Sequence, residues 1–185
     1  MGRLARLSSK NEGKLRELRA ALPGWEIELL GADDYPPEKG KTYYENARAK
    51  ADFGRSIDPD VWVIGEDSGI EVNGLDGRPG INSARFGGEN PVGRLLDELR
   101  DVDGEGRRAR YVCELVALTP DGAEFRGTGV LDGRIVRRSR GTEGFGYDPI
   151  FVPDGEERTV AELGNEWKRT NSHRARAAAE LARGI

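Results

Sequence analysis

The sequence is poor in soft and redox-active side chains. Its 185 residues hold one cysteine, one methionine, one histidine and no glutamine. A lone cysteine, Cys113, excludes an internal disulfide framework and a cysteine-based zinc site. It lies in the apolar run YVCELVAL and reads as a small buried hydrophobe. Long apolar runs are missing too. No stretch approaches the ~20 residues of a membrane span. The N-terminal MGRLARLSSKN lacks the apolar core of a secretory signal. The expectation is therefore a cytoplasmic chain with no membrane partner. Excess positive charge is lacking as well: the net charge is −4. Phosphate backbones select basic surfaces, so an RNA-binding module is a poor reading and no nucleic-acid partner is expected.

Mixed charge is abundant. Charged residues make up 34% against 36% apolar, which implies a densely charged surface around the core. The length suits a single domain over 1–185, or two lobes sharing one core. Arg107, Arg108 and Arg110, like Arg137, Arg138 and Arg140, read as solvated faces.

The periodicities alternate between helix and strand. RLARLSS (3–9) reads as a strand. Asn11 then caps a helix carrying Leu15, Leu18 and Leu22 at helical spacing, and Pro23-Gly24 ends it. WEIELL is a second strand. Thr42 and Glu45 form a capping-box pattern ahead of an alanine-rich helix. VWVIG is a β-branched run suited to a buried strand, and GIEV begins a further one. PVGRLLDELR reads as a helix with Pro91 in its first turn. ARYVCELVALT and EFRGTGVLDGRIV are strands joined at Pro120-Asp121-Gly122. GTEGFGYDPIFVP is a glycine-rich loop leading into a short strand, and SHRARAAAELARG a C-terminal helix. The order predicts an α/β unit with a mixed sheet.

Four stretches carry chemistry. SSKNEGK (8–14) joins a strand to a helix start, where free N–H groups and the positive dipole end suit phosphate. An N-capped helix with a solvated lysine is the plainer reading. Glu66 and Asp67 are adjacent carboxylates within an apolar context. Either they lie in a polar turn, or one holds a metal while the other, pointing the opposite way, faces water or substrate. GFGYDPIF alternates glycine with aromatics. Phe145 or Tyr147 would stack on a base, or both would cap the core. KRTNSHR sets His173 and Arg174 at a helix start, where cations gain nothing from the dipole.

In these stretches the sequence resembles the inosine/xanthosine triphosphate pyrophosphatase family. The resemblance is carried by Ser9-Lys10-Asn11-Glu12-Gly13-Lys14, by Tyr44-Glu45-Asn46-Ala47 with Lys50, by EDSGIEVNGLDGRPGINSARFGGE, by GFGYDPIFVP and by SHR. It implies an elongated two-lobed α/β fold around a long central mixed β-sheet, a nucleotide cleft between the lobes, and a homodimer. It implies Mg²⁺-dependent hydrolysis of ITP, dITP or XTP to monophosphate and pyrophosphate. Carried over residue by residue, Ser9, Lys10, Asn11, Glu12, Gly13 and Lys14 bind the triphosphate with Lys50. Glu38, Glu66 and Asp67 serve the metal, and Asp67 and Lys14 are catalytic, Asp67 as the base for water. Ser68 touches substrate. Phe145, Gly146, Tyr147, Asp148, Lys168, His173 and Arg174 form the base pocket, where a donor such as Arg174 would match the 6-oxygen of hypoxanthine or xanthine. The usual first loop of that family is Thr-Gly-Asn. Ser9-Lys10-Asn11 departs from it, so that Lys10 either points away or adds a phosphate contact. A nucleotide-binding sensor with the same pocket and no turnover is the alternative.

Overall fold

Leu15 and Leu18, spaced for one helical face, are buried on α1 (Glu12–Ala21). The helix starts because the Asn11 side chain accepts from the Lys14 N–H at 3.1 Å. The computed structural model describes residues 2–185. It orders the strands β1 (Arg3–Leu7), β2 (Trp25–Leu29), β3 (Trp62–Val72), β4 (Arg108–Leu118), β5 (Glu124–Ile135) and β6 (Phe151–Pro153) as one six-stranded sheet, β2-β1-β3-β4-β5-β6. β1 runs parallel to β2 and to β3, whereas β5 and β6 are antiparallel. The sheet is mixed, as the element order predicts.

The chain divides into two compact units. The first comprises Met1–Asp67, Cys113–Gly129 and His173–Ile185. Its sheet residues are covered on one face by α1 and α5 (His173–Arg183). Leu15, Leu18, Ala177, Ala178 and Leu181 pack there on Ala5, Leu7, Ile64, Cys113, Leu115 and Ala117. The other face carries α2 (Tyr43–Ile57), whose Ala47 and Ala51 pack on Val116 and Leu118. Thr42 caps α2 by accepting from the Glu45 N–H, while the Glu45 carboxylate reaches back to the Lys41 N–H. The capping pattern read in the sequence is present, shifted by one residue on its return leg.

The second unit comprises Ser68–Val112 and Val130–Ser172. Its core gathers Ile70, Val72, Leu95, Leu99, Leu131, Ile135, Ile150 and Phe151. It contains α3 (Pro91–Glu98), with Pro91 in the first turn, and α4 (Val160–Asn171). β4 and β5 are joined by the expected turn, where Gly122 has φ +91°.

Two expectations change. VWVIG and GIEV are not separate strands around a turn: β3 is one strand of 11 residues. Gly65 and Gly69 look like turn glycines, but they admit close neighbours. A Cβ on Gly65 would lie 1.9 Å from the Ala47 carbonyl oxygen, and one on Gly69 would lie 2.1 Å from that of Gly80. The second change is α4, which the periodicity did not suggest. Gly164 interrupts it with φ +85°, breaking the regular stripe.

Candidate active site

Glu66 and Asp67 sit in the middle of β3, so alternation sends their side chains to opposite faces of the sheet. Each meets a different set of cations.

Glu66 is 1% exposed. Its carboxylate accepts from Arg174 Nη2 at 2.8 Å and Nε at 3.1 Å, and lies 2.5 Å from Lys14 Nζ. Arg174 in turn pairs with Glu17 of α1 through Nη1. Burial opposes the Glu66 charge, but Lys14 and Arg174 outweigh it and hold its pKa well below the usual carboxylate range. Cys113 faces the same carboxylate. Burial and that neighbouring charge push its thiol pKa well up, and the residue is buried, as the sequence suggests.

Asp67 faces α2. It accepts from Asn46 Nδ2 at 3.0 Å and from Lys50 Nζ at 2.9 Å. Lys50 also lies 2.5 Å from Glu38, and its ammonium donates to the Glu66 carbonyl at 3.0 Å. Burial raises the Asp67 pKa above the ordinary value even against Lys50 and Asn46. Burial disfavours the Lys50 charge, yet Asp67, Glu66 and Glu38 together leave its pKa raised. Lys14 and Lys50 are thus fixed to the same residue of β3, one through the Glu66 side chain and the other through its backbone.

The loop before α1 completes this region. The Ser9 hydroxyl accepts from the Asn11 N–H at 3.1 Å, and Tyr35 OH donates to the Ser9 carbonyl at 3.2 Å. Lys10 is directed at the 33–35 loop. Its ammonium donates to the Asp33 carbonyl and lies 5.7 Å from the Tyr35 ring centre. Glu12 and Gly13 occupy the first turn of α1.

The metal set carried over from the resemblance is divided by the pleat. Glu38 and Asp67 meet at one ammonium, whereas Glu66 points the other way. Among the described residues, no three His, Cys, Asp or Glu side chains gather as a metal cluster. The hard oxygen donors of Glu38 and Asp67 fit a magnesium ion that takes its remaining ligands from water and phosphate. Arg174, assigned to the base pocket by the resemblance, is 1% exposed and engaged by two carboxylates. That is the geometry of a residue holding Glu66. His173, 6% exposed, begins α5 beside it.

The second unit holds the remaining residues. Asp148, 3% exposed, accepts from Lys168 Nζ at 2.5 Å, from the Phe145 N–H at 2.9 Å and from Tyr111 OH at 3.2 Å. The Lys168 ammonium lies 4.6 Å from the Phe145 ring centre, and Phe145 is half-buried. Tyr147 belongs to the core, donates to the Ser83 carbonyl at 3.1 Å, and has its pKa pushed up by burial to about 12. The two aromatics of the loop therefore separate, Tyr147 as core and Phe145 as a partly open ring. Gly146 is exposed with φ +62°, and Ser68 lies on β3 just past Asp67.

Two participants were given no role by sequence reading, although Asn46 stands in a stretch that carries the resemblance. Glu17 lies three residues after Lys14, on the same helical face, and that spacing was the available signal. Asn46 stands in the alanine-rich helix, where a buried amide has no propensity reason to be.

Paired lysines set against strand-borne carboxylates, beside a strand-to-helix loop, form a charged site on an α/β fold. The comparisons narrow this. Residues 5–184 match the Ham1 family, and the chain belongs to that family. A relative from Deinococcus deserti, named dITP/XTP pyrophosphatase, is 44% identical over 184 residues, covering 97% of this chain and 88% of the relative. The solved structure of a HAM1 protein from Coxiella burnetii superposes with a TM-score of 0.84 at 31% identity, covering 98% of each chain. A nucleoside-triphosphatase / dITP/XTP pyrophosphatase from Mycobacterium abscessus gives 0.74 at 37% identity, covering 96% of this chain and 97% of that one.

Proposed function

We propose that this protein hydrolyses non-canonical purine nucleoside triphosphates, namely ITP, dITP and XTP, to the monophosphate and pyrophosphate with Mg²⁺ as cofactor. The observation that carries the reading is the convergence of Glu38 and Asp67 on Lys50, with Lys14 fixed to the same point of β3. The names of the relatives support the substrate class.

Glu38 and Asp67 would hold the metal. When bound, it supplies charge neutralisation at the phosphates that phosphoanhydride cleavage demands. Lys14, Lys50 and the α1 N-terminal amides bind the triphosphate and offset its charge. Asp67 accepts the proton of the attacking water. Glu66, enclosed by Lys14 and Arg174, holds those two cations in place. The Phe145 ring and the Lys168–Asp148 pair are assigned to the purine. A cytoplasmic homodimer belongs to the same reading.

Asp67→Asn tests it. Pyrophosphate release from ITP should fall by roughly 10²–10⁴-fold, the usual worth of a general base, while ITP affinity stays within a few-fold. Near-normal release would remove Asp67 as the base. Tight ITP binding by the unaltered protein without any pyrophosphate would favour the sensor reading instead.

A further inference from the structure

We propose that Asn46 is a positioning residue that sets the geometry between Glu38 and Asp67 and so tunes metal affinity. The inference rests on the reading that these two carboxylates hold the divalent ion.

Asn46 is 2% exposed and lies in the first turns of α2. Its two amide atoms serve two different segments. Nδ2 donates to Asp67 Oδ2 at 3.0 Å, and Oδ1 accepts from the Gly40 N–H at 2.9 Å. A backbone N–H can only face an acceptor, so the Gly40 bond fixes which way the amide points. Gly40 is two residues from Glu38. One side chain therefore ties the loop that carries one carboxylate to the oxygen of the other.

The approach is close. A Cβ on Gly40 would come 2.5 Å from Asn46 Oδ1. Lys50, one helical turn further along α2, takes the other Asp67 oxygen, Oδ1, and Glu38. Lys50 would have to give way for Glu38 and Asp67 to hold a divalent ion, whereas Asn46 bonds Asp67 Oδ2 and the loop backbone. Asn46 is not needed to start the helix, because Thr42 already caps it by accepting from the Glu45 N–H. Its remaining task is to keep the two carboxylates in register while Lys50 yields.

The test uses Mn²⁺, titrated into the full-length protein alone and with a non-hydrolysable ITP analogue, with free Mn²⁺ followed by EPR. Two variants break the clamp from opposite ends. Asn46→Ala removes the amide from the helix. Gly40→Ala wedges it from the loop, and carries the test if Asn46→Ala does not fold. Both should weaken Mn²⁺ binding by about 10–100-fold, the usual cost of losing a group that orients a metal ligand. The Mg²⁺ half-saturation for turnover should rise in step, with KM for ITP at saturating Mg²⁺ within about threefold. Wild-type Mn²⁺ affinity in a folded variant would overturn the inference and leave the metal assignment intact. Failure of the unaltered protein to bind Mn²⁺ in either condition would overturn both.

Discussion

At Glu66 and Asp67, one peptide unit separates two carboxylates with opposite environments. Alternation along an extended chain was legible in the sequence, and so was the choice between metal and turn. What could not be read was which cations would cross the sheet to meet each acid, because Arg174 lies 108 residues from Glu66. The Glu66 ion pairs have a signed pH dependence. Its folded pKa is depressed below the unfolded value near 4.3. The stability they contribute is complete above that value and is lost as pH falls through the folded one. Glu66→Gln should therefore be less stable than wild type at pH 7, by about 3–5 kcal/mol as for other broken buried pairs. The gap should narrow below about pH 4. Urea unfolding at pH 7 and pH 3.5 compares the full contribution with the onset of its loss, and an equal gap at the two would contradict the assignment. Lys10 illustrates a choice the sequence left open: both of its directions were chemically sensible, and only the position of the 33–35 loop decides between them.

Elements were mostly legible where a local signal acted alone. Asn11, Thr42 and Pro91 marked helix starts that the fold contains. GEDSG misled because turn chemistry and close packing both select glycine, and only the neighbours distinguish them: α2 against Gly65 and the Gly80 carbonyl against Gly69. Gly65→Ala should test the α2 contact. With a methyl 1.9 Å from a carbonyl oxygen, the cost should reach about 3 kcal/mol, the upper end of overpacking penalties. That corresponds to roughly 6–12 °C in Tm for a chain of this size. Gly24→Ala, with nothing within 4 Å of its Cβ, serves as the control and should shift Tm little. Equal effects would mean that α2 is not packed so closely. The missed helix α4 did have a signal, the Thr159 and Glu162 capping box. Gly164 obscured it by interrupting the apolar stripe.

On the scale of the whole molecule, the sequence predicts a mixed α/β sheet, and a six-stranded mixed sheet is what forms. The chain interleaves the units: Cys113–Gly129 and His173–Ile185 return to the first after excursions into the second. Such long-range assembly is why Arg174 and Glu66 meet, and why no window of sequence could show it. The β3 acids Glu66 and Asp67 meet Lys14 of α1 and Lys50 of α2 in the first unit, while the Phe145–Lys168–Asp148 cluster gives the second a ring and a buried pair. The most direct measurement is product analysis by ³¹P NMR on dITP and XTP, with and without a chelator. The account predicts monophosphate and pyrophosphate in equal amounts, abolished by EDTA and restored by Mg²⁺. Orthophosphate as the first product, or undiminished turnover in EDTA, would contradict it.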